Sequence, residues 1–474
     1  MRPKTTYRRL RREGWQARLL NTLRQQPDAW WASVPRTLSD GAKRDGIVIY
    51  TDARTTQPVR IHLTPTLLTR AQCRYLQLLG IRVRRSLNRV LRRYAEDPAI
   101  QAVLPLSEDE RAWMRQLSPA GFHDPATVFE RFDTNLLVED PDWLGRFRFL
   151  EINSVGVGCL NFMPAANNLI AEHVLPTFKP VLNGSECAVS ADPRVLLRKL
   201  LESHAKAIGR KSCVTCFVER RETVVGGADE MRLMSEFLRS QGMTTVYADP
   251  RELELRNGDI AYKDTAIDLF YRDFTLSEII SIEKHGGQLP AMKRAFQQNR
   301  VISGLTGEFD HKSVMELLSS PEFGKYFSPS QRRTLQSCIL WTRLMRERKT
   351  TDPDGNEVDL PAFVRANRER LVLKPNRGYG GTDVVLGPDA TQAAWEEGIA
   401  KAFAQPDTCV VQEYVRLPEV EFIDSDAPKQ SARESLTIGF TATPDGIAFL
   451  GRSCADRVVN ITRGGSLVPV FTIK

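Results

Sequence analysis

Between residues 64 and 95 apolar side chains return every three or four positions: Leu67, Leu68, Ala71, Tyr75, Leu76, Leu79, Val83, Leu87, Val90, Leu91 and Tyr94, with arginines filling the gaps. That period predicts one long amphipathic helix, with Gly80 the point at which it can break. A second helix is predicted after Ser107, where Ser107 and Glu110 have capping-box spacing ahead of Trp113, Met114 and Leu117. Residues 1–120 therefore read as a mostly helical region. At residue 129 the pattern changes: apolar stretches at 129–138 and 146–153 flank a polar turn at 139–145, as in a hairpin. In its second strand Phe147, Phe149, Glu151 and Asn153 are expected on one face, which sets a carboxylate beside an amide oxygen. Asp133 can reach the same end of the sheet.

Residues 181–305 alternate between element types, with strands at 213–218, 244–247 and 266–271 and a helix at 229–241. Alternation of this kind predicts a parallel sheet in a separate α/β unit. Arg272 and Asp273 close the third strand, where open α/β sheets bind ligands, although a local ion pair explains them equally well. Beyond residue 305 the pattern predicts helices at 329–348 and 391–404 and strands at 408–415, 436–441 and 447–450. Residues 370–387 read as a hairpin: an apolar strand delivers Lys374, a loop carries Gly378, Gly380 and Gly381, and a strand returns.

A chain of 474 residues that is 42% hydrophobic has material for two to four packed units. No apolar run is long enough to cross a bilayer, and the cytoplasm is the default location. The basic start, where Glu13 is the sole acid before residue 24, is read as an amphipathic helix in preference to a transit peptide. The formal charge of +8 favours acidic partners, nucleotides and nucleic acid alike. Arginines 70, 74, 82, 84, 85, 89, 92 and 93 line the long helix, but no aromatic platform interleaves with them, and a solvated face is the commoner arrangement. Nucleic acid is therefore not the favoured partner. Eight cysteines and six histidines are dispersed. Cys213 and Cys216 lie in an apolar strand with no second pair to complete a zinc site, so they are expected to be structural.

The hairpin at 370–387 carries candidate chemistry. Pro375 keeps Lys374 on extended backbone, and three glycines let backbone N–H groups close on an anion. Its ligand would be a polyphosphate; the alternative is an ordinary glycine-rich hairpin with an exposed lysine. The spacing is neither that of a P-loop nor that of a dinucleotide fingerprint. Asp133, Glu151 and Asn153 offer three oxygen donors of the kind magnesium takes together with phosphate and water, unless they are simply polar residues of an exposed edge strand.

Taken together, Lys374 with its glycine loop, Gln412-Glu-Tyr-Val415, and Arg131-Phe-Asp133 followed by Glu151-Ile-Asn153 resemble the ATP-grasp superfamily. There the lysine strand usually comes first and the metal hairpin last. Here the hairpin precedes the lysine, an order similar to the circularly permuted ATP-grasp group, which includes glutathionylspermidine synthetase-like enzymes. The resemblance covers residues 121–474 and implies an α/β (α+β ATP-grasp) fold there, so that with the helical start outside it the chain is expected in four parts. These are a helical N-terminal region (1–120), a segment with the metal hairpin (121–180), a pre-ATP-grasp-like α/β domain (181–305) and the ATP-binding subdomains (306–474).

The resemblance also implies roles. Lys374 and Lys312 would neutralise the ATP phosphates, and the amides near Gly378, Gly380 and Gly381 would close over them. Gln412 would meet the adenine amine, the backbone of Glu413 and Val415 the rest of the base, and Glu419 or Glu421 the ribose. Asp133, Glu151 and Asn153 would hold magnesium, two ions in all. Arg131, helped by Arg452, would face a reacting carboxylate. The implied activity is an ATP- and magnesium-dependent carboxylate–amine ligase working through an acyl phosphate on a small peptide or metabolite. Its alternatives are a phosphotransferase or a silent ATP-grasp fold that binds RNA or protein. The turn after Asn153, Ser-Val-Gly, lacks the proline often found there, which bears on the substrate side of the site.

Overall fold

The computed structural model describes residues 14–52, 54–118, 121–223, 228–378, 380–425 and 430–473, so the arginine-rich residues 1–13 and Tyr379 lie outside it. At its centre the long strand Ser431–Thr443 pairs along one edge with Gly446–Cys454, which in turn pairs with Ser466–Val468. Glu419–Ile423 and Arg131–Thr134 share the other edge, and Phe149–Asn153 follows outside Arg131–Thr134. All these pairings are antiparallel. The hairpin at 131–153 is thus built into a sheet whose other strands come from the last 60 or so residues of the chain.

The helix Arg70–Leu91 crosses this sheet. It does not break at Gly80. The missing side chain instead lets helix and sheet approach, since a Cβ there would lie 2.8 Å from the Ala442 Cβ and 3.0 Å from the Phe440 ring. Residues 66–69, expected in this helix, form a strand parallel to Val470–Ile473 at the far end of the chain. Thr69 then caps the helix through the Gln72 N–H. The capping box of Ser107 and Glu110 opens the helix Glu108–Leu117.

Lys374 belongs to a second antiparallel sheet, ordered Thr342–Leu344, Cys409–Glu413, Leu371–Pro375, Val385–Leu386. Its alternation sorts the side chains cleanly. Leu371, Leu373 and Val411 pack under the helix Gln392–Ala404 around the fully buried Trp395, so Val372, Lys374 and Gln412 face the other way. The helix expected at 329–348 stops at Cys338, because residues 342–344 are taken into this sheet.

Between residues 181 and 305 the strands Thr215–Glu219, Thr245–Ala248, Leu269–Asp273 and Val301–Ile302 form a parallel sheet, with the helix Glu230–Ser240 on it. Arg272 proves to be structural: it is fully buried and pairs with Glu308 at 2.9 Å. The eight cysteines are free. Among the described residues no helix is long and apolar enough to cross a membrane.

Candidate active site

The two antiparallel sheets face each other across a cavity of about 530 Å³. Every site residue expected from the sequence lines it except Glu421, which turns away to Arg24 and Ser431. Lys374 and Glu151, from opposite jaws, share this one space.

On the lysine side, Lys374 Nζ donates to Gln412 Oε1 at 2.7 Å, and Gln412 Nε2 donates to Thr342 Oγ1 at 2.9 Å. The Gln412 amide, expected at the adenine, is therefore occupied in holding the lysine. Burial lowers the Lys374 pKa to about 8, against the opposing pull of the Glu151 charge. Lys312 Nζ donates to Gly378 O at 2.6 Å and stands 3.6 Å from Glu151 Oε2, so it bridges the jaws. Gly380 (φ +73°) and Gly381 (φ +69°) are left-handed, a conformation costly for other residues. Their carbonyls are held by Asn460 Nδ2 at 2.7 Å and Arg463 Nη1 at 3.1 Å.

On the opposite jaw a bulge changes the expected pattern. Asp133 pairs with Glu151 but Thr134 with Phe149, so Leu150 is the extra residue. Phe149 is thereby turned into the core against Phe132 (ring centroids 5.2 Å apart) and Phe440 (6.0 Å), away from the face it was expected to share with Glu151. Glu151 and Asn153 remain on the cavity side, part-exposed.

Asp133 is 2% exposed and ringed by donors. Arg131 Nε reaches its Oδ1 at 2.8 Å, and its Oδ2 accepts from Arg131 Nη2 at 3.0 Å, Arg452 Nη2 at 2.9 Å and Asn153 Nδ2 at 3.2 Å. Burial opposes the carboxylate, but the two guanidinium charges outweigh it and hold the acid well below its ordinary range. With Arg131 Nη1 on Gly158 O at 3.1 Å, all three nitrogens of that arginine are engaged. Arg452 Nε is buried without a partner among the described residues. Arg131 thus uses three of its five N–H groups, and both arginines keep donors for a ligand, the Arg452 Nε among them.

These contacts test the site against magnesium. Among the described residues no three His, Cys, Asp or Glu side chains form a metal cage of their own. Magnesium rarely needs one, since it keeps waters and takes phosphate oxygens. Glu151 and Asn153 fit such an ion: they are adjacent, they face the cavity, and the Asn153 bond to Asp133 uses its amide nitrogen and leaves the oxygen for a cation. Asp133 fits less well, its charge already matched by two arginines.

A further acid, Asp310, was not picked out from the sequence, although it stands two residues before Lys312. It lines the cavity and accepts from the Ser154 and Val155 N–H groups at 2.8 and 3.0 Å, fixing the turn after Asn153. Burial raises its pKa to about 6. Along the arginine helix Arg84, Arg92 and Arg93 pair with Glu130, Asp124 and Glu96, whereas Arg82 and Arg89 hydrogen-bond the neutral Thr334 and Gln331 and keep their charge.

No family model matches the sequence, and no curated protein matches it. Among solved structures the chain is similar to a glutathione synthetase-like effector from Globodera pallida in its apo form. Identity is 12%, the match covers 95% of this chain and 98% of that one, and the TM-score is 0.63. It matches more loosely a putative gamma-glutamylcysteine synthetase from Methylobacillus flagellatus KT (11% identity, 86% and 89% of the two chains, TM-score 0.38). It also matches a RimK domain ATP-grasp protein from Sphaerobacter thermophilus (13%, 53% and 92%, TM-score 0.26). The protein therefore has an α/β fold that it shares over nearly its whole length with the glutathione synthetase-like effector.

Proposed function

We propose that the protein is an ATP- and magnesium-dependent ligase that joins the carboxylate of a small molecule or peptide to an amine. The observation that carries this reading is the charge arrangement round one cavity: Lys374 and Lys312 beside a left-handed glycine loop, facing Glu151, Asn153 and the Arg452–Asp133–Arg131 cluster.

Attack of a carboxylate on the γ-phosphate of ATP brings anions together, and the protein must offset that repulsion before the bond forms. Lys374, held by Gln412, and Lys312, held by Gly378, are fixed cations for the phosphates. Glu151 and Asn153 would hold magnesium, which when bound polarises the phosphate and screens its charge. Arg452 has a free Nε for the substrate carboxylate, while Arg131 and Asp133 orient it. The carboxylate oxygen forms a bond to phosphorus as the bond to ADP breaks. The amine nitrogen then bonds to the acyl carbon, phosphate leaves, and the amine gives up a proton. Glu413, Val415 and Glu419 at the cavity rim are the proposed nucleoside contacts.

Incubation with ATP, magnesium and panels of acids and amines tests the reaction. ADP and phosphate should appear only when both an acid and an amine are present; turnover without amine indicates a phosphotransferase, and AMP with pyrophosphate refutes the acyl phosphate. Lys374→Ala should weaken binding of a non-hydrolysable ATP analogue, and Glu151→Gln should spare most of that binding yet abolish turnover. Full activity in both variants would overturn the site assignment.

A further inference from the structure

Arg377 lies inside the glycine loop, between Asn376 and Gly378, and its guanidinium is held from outside the ATP-binding subdomains. Its Nη1 and Nη2 donate to Glu110 Oε2 and Oε1 at 2.9 and 2.6 Å, the bidentate geometry that makes arginine–carboxylate pairs strong and directional. Glu110 is 1% exposed and sits on the helix Glu108–Leu117, where its Oε2 also accepts the Ser107 N–H at 2.8 Å. Arg377 Nη2 stands 3.5 Å from Glu308 Oε1, and the other Glu308 oxygen takes Arg272. A row of alternating charge, Glu110–Arg377–Glu308–Arg272, buried except at the part-exposed Arg377, thus joins the N-terminal helices, the glycine loop and the parallel sheet.

The loop needs such a hold. Its near end is fixed by the Asn376 N–H on Thr408 O at 2.7 Å, and its far end by Asn460 and Arg463. Between them lies Gly378, whose carbonyl takes Lys312 Nζ at 2.6 Å; glycine loses more freedom on ordering than any other residue, so each hold that sets the loop before binding strengthens binding. We propose that Glu110 is a positioning residue: through Arg377 it sets the glycine loop in its phosphate-binding form and makes the N-terminal helical region a working part of the nucleotide site. This rests on reading the loop as a phosphate grip.

The test is calorimetric titration of the full chain with magnesium and a non-hydrolysable ATP analogue, together with amide hydrogen exchange of residues 376–382 in the free protein. Glu110→Gln keeps an oxygen for the Ser107 N–H, so the helix cap survives. Glu110→Gln and Arg377→Gln should each lower affinity about tenfold, the double variant no further than either single one. Loop exchange should quicken while exchange in the helix Glu108–Leu117 stays unchanged. Arg377→Lys should restore part of the affinity, and it carries the test with Arg377→Gln if Glu110→Gln fails to fold. Lys374→Ala separates the two ideas. If it loses affinity while Glu110→Gln and Arg377→Gln do not, the positioning role is overturned and the phosphate grip stands. If Lys374→Ala keeps full affinity, the phosphate grip falls, and with it the proposal. Strictly additive losses, or faster exchange in the helix with an unaltered loop, also overturn it.

Discussion

Burial draws the Lys374 pKa down to about 8, so this side chain sheds its proton within the range of ordinary assay buffers. The sign of the effect follows. Below pH 8 the ammonium is present to meet phosphate; as pH rises through 8 it is lost, and with it affinity. Binding of the ATP analogue should be about tenfold weaker at pH 9 than at pH 7, if only the cation binds. At pH 8 the complex should take up protons, seen as a heat that depends on the buffer's ionisation enthalpy. A pH-independent affinity would remove Lys374 from the phosphate site. In the free protein the same depression means that the unfolded chain holds the proton more tightly. The resulting destabilisation is present in full below pH 8 and is relieved as pH climbs toward the ordinary lysine range. Asp133 allows a second test. As the counter-ion of two part-buried arginines, it should matter to the fold before any metal is added. Asp133→Asn should cost about 3–5 kcal/mol in urea unfolding without magnesium, while Glu151→Gln changes stability little. Were Asp133 chiefly a metal ligand, its substitution would leave that stability intact and raise the magnesium requirement instead.

Among the elements, helix Arg70–Leu91 and the sheet beneath it are coupled through Gly80. Gly80→Val would press a branched side chain into Ala442, Phe440 and Phe132, and Phe132 is the neighbour of Asp133. A loss of about 2–3 kcal/mol, with weaker binding of the ATP analogue, is the expected outcome of urea titration and calorimetry. An unchanged urea midpoint would mean that helix and sheet do not meet so closely. These elements also show what periodicity reveals and what it hides. The alternation that delivers Lys374 to one face, the helix at 108–117 and the parallel strands near 215, 245 and 269 were legible, because each rests on local pattern. Residues 66–69 were not: their apolar pair suits a helix, and they become a strand only because residues 470–473 offer an edge. Strict alternation likewise put Phe149 beside Glu151, since a one-residue bulge leaves no trace in composition. At the site the residue types were legible but not their pairings. Gln412 engages Lys374, and Arg131 spends itself on Asp133, contacts set by tertiary geometry alone.

At the scale of the whole molecule, the site belongs to no one stretch of chain. One jaw comes from residues 131–153 and the other from 371–413, the loop between them is clasped by residues 460–463, and Arg377 is held by a helix that begins at residue 108. Loss of one region should therefore impair the cavity, and the nucleotide binding proposed for it, even where the residues that line it are intact. The central sheet has a consequence in time as well as in space. Thr134 Oγ1 donates to Ile438 O, a partner 304 positions later in the chain. At the roughly 5–20 residues per second of a ribosome, that partner follows by about 15–60 s. Throughout that interval the Phe132 and Phe149 side chains lack the strand that covers them in the finished protein. The hairpin that carries Glu151 and Asn153 thus emerges early as a sticky, half-paired ribbon, and the nascent chain, more than the finished one, is where this protein has most need of a chaperone.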